Sequence, residues 1–289
     1  MDVSKAINYK ANKCKAFTTL YGILKGIDAD KTLKNEEVLF LGSWLKEQKY
    51  LPRDGDVLDI EDLITDILDD GIITQDEMDD LRSLLRDVVD FNDCAVIGSD
   101  EAVNQLIGFM KGITCDNTLN DREISSLADA IASLGLGAEN SVISIVTRKL
   151  EQILADGVVT DCERLELLNL LKRASGQEFM ETGAAEGCAL SIVTENLPFQ
   201  SISGVTVCFT GTFSGQSRKD IQKIATLRGA IVSKSITQKL NLLVVGGEAS
   251  RDWKFSSYGR KIQTVFELRD KGFEIHIIDE PTWTALVDG

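Results

Sequence analysis

Residues 20–27, LYGILKGI, recur at residues 106–113 as LIGFMKGI, 86 positions further along the chain. At the same spacing, residues 67–74, ILDDGIIT, recur at 153–160 as ILADGVVT. No gap is needed between the two matches, so the N-terminal half is interpreted as a tandem duplication of about residues 17–90 and 103–176.

A shorter sequence pattern occurs twice within each copy, and each occurrence is called a corner. Each corner has an aspartate, an aliphatic residue three positions later and a glutamate seven positions later, and the four segments are 30–37, 70–77, 116–123 and 156–163. Apolar residues follow two of these segments at helical spacing; they are Met78, Leu81, Leu84, Leu85, Leu165, Leu167, Leu168 and Leu171. The pattern predicts four helix–turn–helix corners in a duplicated all-helical domain over residues 1–176.

The corner around Asp70 also fits part of a calcium-binding loop. Asp66, Asp70 and Glu77 would occupy loop positions 1, 5 and 12, but position 3, which requires an oxygen ligand, is Leu68. The other corners place Gly26, Gly112 and Gln152 at position 1. Helix capping explains the same pattern: Gly71 or Gly157 ends one helix, Thr74 or Thr160 caps the next, and Glu77 or Glu163 closes a capping box. We therefore expect no metal site in this half.

The net charge of −15 is unevenly distributed along the chain. Residues 1–180 contain 19 basic and 34 acidic residues, and residues 54–90 alone contain 14 acidic residues against Arg82 and Arg86. From Phe199 onward there are 12 basic and 9 acidic residues. Because DNA is a polyanion, we expect any contact with it from the C-terminal part. The acidic helical domain is expected to bind a protein partner.

Cysteine and histidine content argues against several chemistries. The six cysteines form no Cys-x-x-Cys pair, and the single histidine, His276, lies in an apolar run. These features predict reduced thiols, no zinc site, no cofactor and no nucleophile–base pair. No apolar run reaches about 18 residues, and the first residues do not form a secretory signal. We therefore expect a cytoplasmic protein with no membrane contact.

An α/β pattern occupies residues 201–289, after a small, polar stretch at 177–200 that is typical of a linker. Strands are predicted at 205–210, 230–232, 242–245 and 275–278. Helices are predicted from Ser217 to Leu227, over residues 257–271, and around Trp283. This alternation predicts a small four-stranded parallel sheet with helices on its faces.

Residues 203–287 resemble a BRCT domain of the kind found at the end of bacterial NAD-dependent DNA ligases. The shared features, in order, are FTGTF at 209–213, SRKD at 217–220, RGA at 228–230, LLVV at 242–245 and DE-x-x-W at 279–283. Segments 250–253 and 258–261 resemble the elaborated BRCT modules of bacterial and phage DNA-processing proteins. The resemblance implies a module that binds phosphorylated protein segments or phosphorylated DNA ends and nicks. Phosphate-binding BRCT domains usually have a lysine at the start of the second helix, where the alignment places Tyr258.

The residues themselves support an anion site in this region. Thr210 and Gly211 offer a hydroxyl and a free backbone N–H where a strand leaves towards a helix start. Arg218 on the first helix, and Arg260 or Lys261 at the start of the second, can add charge-assisted hydrogen bonds to phosphate. Alternatively, Thr210 is a satisfied turn hydroxyl and the three cations are solvated.

Two hypotheses for the function follow from these patterns. The Asp-Gly-x-Ile-x-x-x-Glu corners look like those of TerB-like tellurite-resistance domains, which implies a helical interaction module. We therefore expect a non-enzymatic adaptor in DNA metabolism or repair, with the BRCT domain binding a phosphorylated DNA end or phosphoprotein. A ligase is excluded because no Asp-Gly pair belongs to the Lys-x-Asp-Gly motif that adenylation requires. The alternative is a helical stress-response scaffold, homodimerised by its BRCT domain, that binds neither DNA nor phosphate.

Overall fold

The computed structural model describes residues 3–48, 51, 55–91, 98–136, 141–183, 185, 197, 201–211, 213, 217–246 and 259–288. Eight helices of 13 to 25 residues form the described N-terminal part. They are α1 (Val3–Ile27), α2 (Asn35–Glu47), α3 (Asp56–Asp69), α4 (Gln75–Phe91), α5 (Ser99–Thr114), α6 (Asp121–Ser133), α7 (Ser141–Leu154) and α8 (Asp161–Ser175). The predicted all-helical fold is confirmed, with α1–α4 in the first copy and α5–α8 in the second. Among the described residues, no helix combines the length and apolar character needed to span a membrane.

The repeated octapeptide forms the contact between the two copies. Helices α1 and α5 cross where Gly22 lies against the backbone of Gln105, and where Gly108 lies against the backbone of Thr19. A Cβ atom at either glycine would lie well inside 3.0 Å of a carbonyl oxygen of the other helix. Thr19 and Gln105 are themselves 86 positions apart, so the crossing has approximate two-fold symmetry. The glycines therefore allow a close helix contact that a larger residue would prevent.

All four corners have the same local hydrogen bonds. In each, the aspartate side chain accepts a hydrogen bond from the N–H two residues later, at 2.8–3.0 Å. The glutamate accepts one from the N–H of the helix N-cap residue, at 2.7–2.9 Å. The residue after the aspartate has a positive φ in every corner; these residues are Lys31, Gly71, Asn117 and Gly157. The predicted capping boxes at Glu77 and Glu163 are thereby confirmed.

The corners differ in what surrounds them. We name residues 28–37 and 114–123 the inner corners, and residues 68–77 and 154–163 the outer corners. The inner corners contact each other: Lys34 Nζ donates to Asp116, and Asn120 Nδ2 donates to Asp30 Oδ2 at 2.8 Å. The outer corners face solvent, where Ile72 and Val158 are 65% and 63% exposed.

A parallel sheet of order β2-β1-β3-β4 forms the C-terminal region. Its strands are β1 (Thr206–Thr210), β2 (Ile231–Ser233), β3 (Leu242–Val245) and β4 (His276–Asp279). After the four-residue helix α9 (Phe179–Thr182), the helices of this region are α10 (Arg218–Leu227), α11 (Arg260–Asp270) and α12 (Glu280–Asp288). The four predicted strands and three predicted helices are confirmed, with boundaries that differ by three residues or fewer.

Side chains of the strands alternate between the two faces of the sheet. One face, which includes Val207 and Phe209, packs against α10 and α12, where Trp283 is buried. The other face, which includes Cys208 and Leu243, packs against α11. The apolar core on this second face continues into the second helical copy, and α7 contacts α11.

Residues 177–185, at the start of the predicted linker, contact the helical region. The Phe179 ring packs edge-on against Phe40, with centroids 5.6 Å apart. The Ala185 N–H donates to the Glu47 carboxylate at 3.1 Å, and the Ala185 carbonyl accepts from the buried Lys111 Nζ at 3.1 Å. Except for residues 185 and 197, residues 184–200 lie outside the described part of the chain. The linker and the domain boundary near residue 200 therefore stay predictions.

Candidate phosphate-binding site

The site is built on the carboxyl end of β1. Thr210 is only 6% exposed, and its carbonyl accepts the Gly246 N–H at 2.9 Å. Among the described residues, neither the Thr210 hydroxyl nor the Gly211 N–H has a hydrogen-bond partner. Gly211 has a φ of +82°, so the chain turns sharply as it leaves the strand. Two donors therefore remain available at the position where the sequence predicted an anion.

Helix α10 brings Arg218 to this turn. Arg218 Nη2 donates to the Gly211 carbonyl at 2.6 Å, although the residue is exposed. The N-terminus of α10 is already capped, because Ser217 Oγ accepts the Asp220 N–H at 3.3 Å. A hydrogen bond from Ser217 lowers the pKa of the Asp220 carboxyl, which keeps a negative charge beside this helix start. The cap satisfies the Asp220 N–H, and Arg218 is the side chain of this helix that contacts the turn.

Helix α11 begins differently. Its N-cap residue is Gly259, which provides no side-chain cap, and its first turn contains Arg260 and Lys261 and no acidic residue. Helices α2, α6, α8 and α10 all have acidic residues in the first turn. Cations at a helix N-terminus oppose the helix dipole by roughly 0.3–1 kcal/mol each. A bound anion would offset the unfavourable interaction between these cations and the helix dipole.

Lys261 reaches the end of β1, but Arg260 does not. Lys261 Nζ lies 3.0 Å from the Phe209 carbonyl oxygen and 3.3 Å from Cys208 Sγ. Arg260 is exposed, and its guanidinium makes no hydrogen bond or ion pair with a described residue. The structure therefore brings Arg218 to the Gly211 carbonyl and Lys261 to the Phe209 carbonyl, on either side of Thr210 along the chain. Arg260 lies at the same helix start without contacting them.

The sequence reasoning missed two features of this edge of the sheet. Cys208 Sγ contacts the Lys261 ammonium, and the register places Thr210 beside Val245 and Val245 beside Asp279. The Asp279 Oδ1 atom accepts the Thr282 N–H at 2.8 Å and so caps α12. The sequence does not reveal the order of the strands, so it could not show that β1, β3 and β4 end side by side. The position of Asp279 directly after an apolar run was the signal that could have placed it at a strand end. Thr212, residues 250–253 and Tyr258, which the sequence analysis singled out, lie outside the described residues.

Chemically, the arrangement suits an anion with several acceptor oxygens. It combines a hydroxyl, a backbone N–H, a guanidinium and an ammonium at the start of an uncapped helix. No group of three or more histidine, cysteine or carboxylate side chains that could hold a metal ion occurs within the described ranges.

The fold is a small α/β domain with a parallel sheet, and the donors at the carboxyl end of β1 suit the binding of a ligand. Residues 200–270 match the family model of the BRCA1 C Terminus (BRCT) domain. This part of the chain is a BRCT domain, as the sequence analysis inferred. The match does not extend to the helical region, whose resemblance to TerB-like domains stays a prediction.

The most similar curated relatives include bacterial DNA ligases. The DNA ligase of Bartonella quintana is 31% identical over 99 residues, which cover 34% of this chain and 11% of the ligase. The DNA ligase of Gluconacetobacter diazotrophicus is 35% identical over 97 residues, which cover 33% and 12%. The chain therefore spans only about an eighth of the length of the relatives it matches. No solved structure matches the chain significantly.

Proposed function

We propose that the chain is a non-enzymatic adaptor in DNA metabolism or repair, whose BRCT domain binds a phosphomonoester on a DNA end or on a partner protein. The observation that carries this proposal is the convergence of Thr210, Gly211, Arg218 and Lys261 beside an uncapped helix start. The similarity of this region to bacterial DNA ligases supports a role in DNA metabolism.

A phosphomonoester is the anion that best suits these donors. It carries about −1.5 to −2 charges near neutral pH and three acceptor oxygens. Arg218 can offer a planar pair of N–H donors, and Lys261 a compact ammonium, so the two cations can contact different oxygens. The Arg218 and Lys261 contacts to carbonyl oxygens place both cations within one residue of Thr210 or Gly211.

The helical region is proposed to bind a separate protein partner. Its first copy, residues 17–90, contains 8 basic and 19 acidic residues, whereas the second copy, residues 103–176, contains 7 and 10. The BRCT domain packs on the second, less acidic copy. Duplex DNA held at the BRCT domain would therefore lie away from the most negative surface, which remains available to a partner with basic residues.

The proposal is tested by binding of the full chain to matched ligands. A duplex with a 5′-phosphate and its unphosphorylated twin, and a phosphopeptide with its unmodified twin, are titrated separately. Binding to the phosphorylated member of at least one pair should be clearly tighter. Arg218→Ala and the double variant Arg260→Ala, Lys261→Ala should each weaken it by on the order of 1.5–3 kcal/mol per lost charged hydrogen bond.

Lys271→Ala is the matched control, because Lys271 lies at the opposite end of α11 and is exposed. The melting curve of Lys271→Ala should match that of the unaltered protein, since this cation is exposed. Melting curves of the binding variants show that they remain folded; the double variant should lose about 0.5–1.5 kcal/mol with the partly buried hydrogen bond from Lys261 to the Phe209 carbonyl. Equal affinity for both members of each pair, unchanged by the substitutions, would reject phosphate binding. That result would favour the dimerised scaffold, and native mass would then show the dimer.

A further inference from the structure

The contact between the inner corners is an unusual cluster of buried charge. Glu37 and Glu123 are 2% and 1% exposed, and Asp30 and the Asp116 side chain are also buried. One cation, Lys34, is directly bonded within this group, through Asp116. If every member were ionised, four carboxylates would face a single ammonium in a mostly dehydrated space.

The cluster joins the two copies, in addition to capping one helix within each copy. Lys34, the N-cap residue of α2, reaches Asp116 of the second copy, while Asn120, the N-cap residue of α6, reaches Asp30 of the first. Arg122 Nη1 adds a hydrogen bond to the Asp30 carbonyl at 3.0 Å. The two exchanged contacts are related by the approximate symmetry of the repeats. Separation of the corners would return all four carboxylates to water.

Buried carboxylates without matching cations are costly to ionise. Burial, reinforced by the charge of Asp116, raises the pKa of Glu37 to about 8 and that of Glu123 to about 7, against the backbone hydrogen bonds that each glutamate accepts. Burial opposes the charge of Lys34, but its hydrogen bond to Asp116 raises the Lys34 pKa on balance. Lys34 therefore stays charged, and protons on the glutamates remove the remaining excess of negative charge.

One further cation lies at the cluster, because Arg122 donates to the backbone carbonyl of Asp30, but it pairs with none of the four carboxylates. The neighbouring elements that the structure describes supply no cation that does. The charged and titratable groups that approach the cluster from those elements are Asp28, Lys31, Arg86, Cys115, Arg122 and Lys172. Lys31 and Arg86 both pair with Asp28, at 2.5 and 3.1 Å. Lys172 donates to the Asn117 side chain at 2.5 Å, and burial raises the pKa of the Cys115 thiol.

We propose that the inner corners form a proton-dependent lock: the docked copies hold protons on Glu37 and Glu123 that separated corners would release, so the contact between the copies loosens as pH rises through neutrality. Proton linkage determines the direction of this pH dependence. A carboxyl with a raised pKa binds more protons in the docked state than in the open state, so its contribution to stability falls as pH rises. The contribution of Glu37 and Glu123 to the stability of the docked state is complete below about pH 4.5. It falls as pH rises through 7 and 8, where Glu123 and Glu37 ionise, and it is lost at higher pH.

Hydrogen exchange of the full chain measures this loosening directly, because local opening exposes amides without global unfolding. After correction for the intrinsic pH dependence of exchange, protection of α2 and α6 should fall by at least about tenfold between pH 6 and pH 9, as two linked protons require. Protection of β1 and β3 in the BRCT domain should stay constant. Unchanged protection of α2 and α6 over this range would overturn the proposal.

Glutamine substitutions identify the groups that release the protons. Glu37→Gln with Glu123→Gln preserves the capping boxes, because an amide oxygen can also accept the N-cap N–H, and it should remove most of the pH dependence. Glu163→Gln is the matched control, since Glu163 closes the same box in an outer corner, and it should retain the dependence of the unaltered protein. If the double variant does not fold, either single variant should show a shallower slope than the unaltered protein. An unchanged slope in a folded variant would reject these glutamates as the source.

Discussion

The inner and outer corners have the same sequence pattern and the same local hydrogen bonds, yet their glutamates ionise differently. Burial raises the pKa of Glu37 to about 8 and that of Glu123 to about 7. In an outer corner, hydrogen bonds from Thr160 lower the pKa of Glu163. The difference has two sources. The Thr160 hydroxyl donates to Glu163 within the outer corner, whereas the inner glutamates are buried where the two copies meet.

The two helix starts of the BRCT domain also share their backbone geometry but differ in their side chains. Both helices begin with two cations, but α10 also has a side-chain cap and Asp220 in its first turn, whereas α11 begins with an uncapped glycine and no acidic residue. Both are ordinary helix starts in backbone terms. Both starts place a cation at the end of β1, Arg218 at the Gly211 carbonyl and Lys261 at the Phe209 carbonyl, but only the start of α11 lacks both a side-chain cap and an acidic residue.

The largest expected effect comes from forcing the copies apart. Gly22→Ala would place a Cβ against the Gln105 carbonyl, which is rigid backbone, so we expect a loss of more than about 3 kcal/mol in the unfolding free energy. Chemical denaturation measures it. In the control Gly42→Ala, the new methyl meets only side-chain atoms of Ile64 and Leu68, at 3.0 Å and beyond. Equal losses for the two variants would contradict the close helix crossing.

A smaller effect separates the N-cap residues of the two kinds of corner. Asn120→Ala removes the cap to Glu123 N–H and the bond to Asp30, so we expect a loss of roughly 2–3 kcal/mol. Thr160→Ala removes only a cap, which is worth about 1 kcal/mol. Urea midpoints at constant pH provide the comparison. A larger loss for Thr160→Ala than for Asn120→Ala would mean that the hydrogen bond between Asn120 and Asp30 adds nothing to stability.

The residue that follows each aspartate gives a third comparison. Gly157 has a φ of +75° and open space around it, so Gly157→Ala should cost about 1–2 kcal/mol through backbone strain alone. At the equivalent inner position, Lys31 already has a positive φ of 64°, so Lys31→Ala should change stability by less than about 0.5 kcal/mol. Thermal melts of both variants test this, and a tolerated alanine at 157 would contradict the assigned turn.

The smallest effect is expected on the exposed side chains of the outer corners. Ile72 and Val158 are mostly exposed, so Ile72→Ser and Val158→Ser should each change the unfolding free energy by no more than about 0.5 kcal/mol. Denaturation curves that overlap with that of the unaltered protein are the expected result. A loss of more than about 1 kcal/mol would mean that these side chains are covered in solution.

Repeats and periodicity predicted the fold well because each corner and strand is specified locally. Thr74 and Thr160 with their glutamates were recognisable as capping boxes. The burial of Glu37 and Glu123 could not be foreseen, because it depends on the crossing of α1 and α5 at Gly22 and Gly108. Likewise, spacing alone did not show that Lys261 reaches the end of β1 while Arg260 does not.

The most direct test of the central claim follows the backbone amide of Gly211 by NMR during titration of the full chain with a phosphomonoester, phosphoserine. The account predicts a saturable downfield shift of the Gly211 N–H, together with shifts in the first turn of α11, as the open donors bind phosphate. Serine at the same concentrations should leave these signals in place, and Lys261→Ala should weaken the phosphoserine response. A Gly211 amide that does not move, or that responds equally to both ligands, would contradict a phosphate site on this BRCT domain.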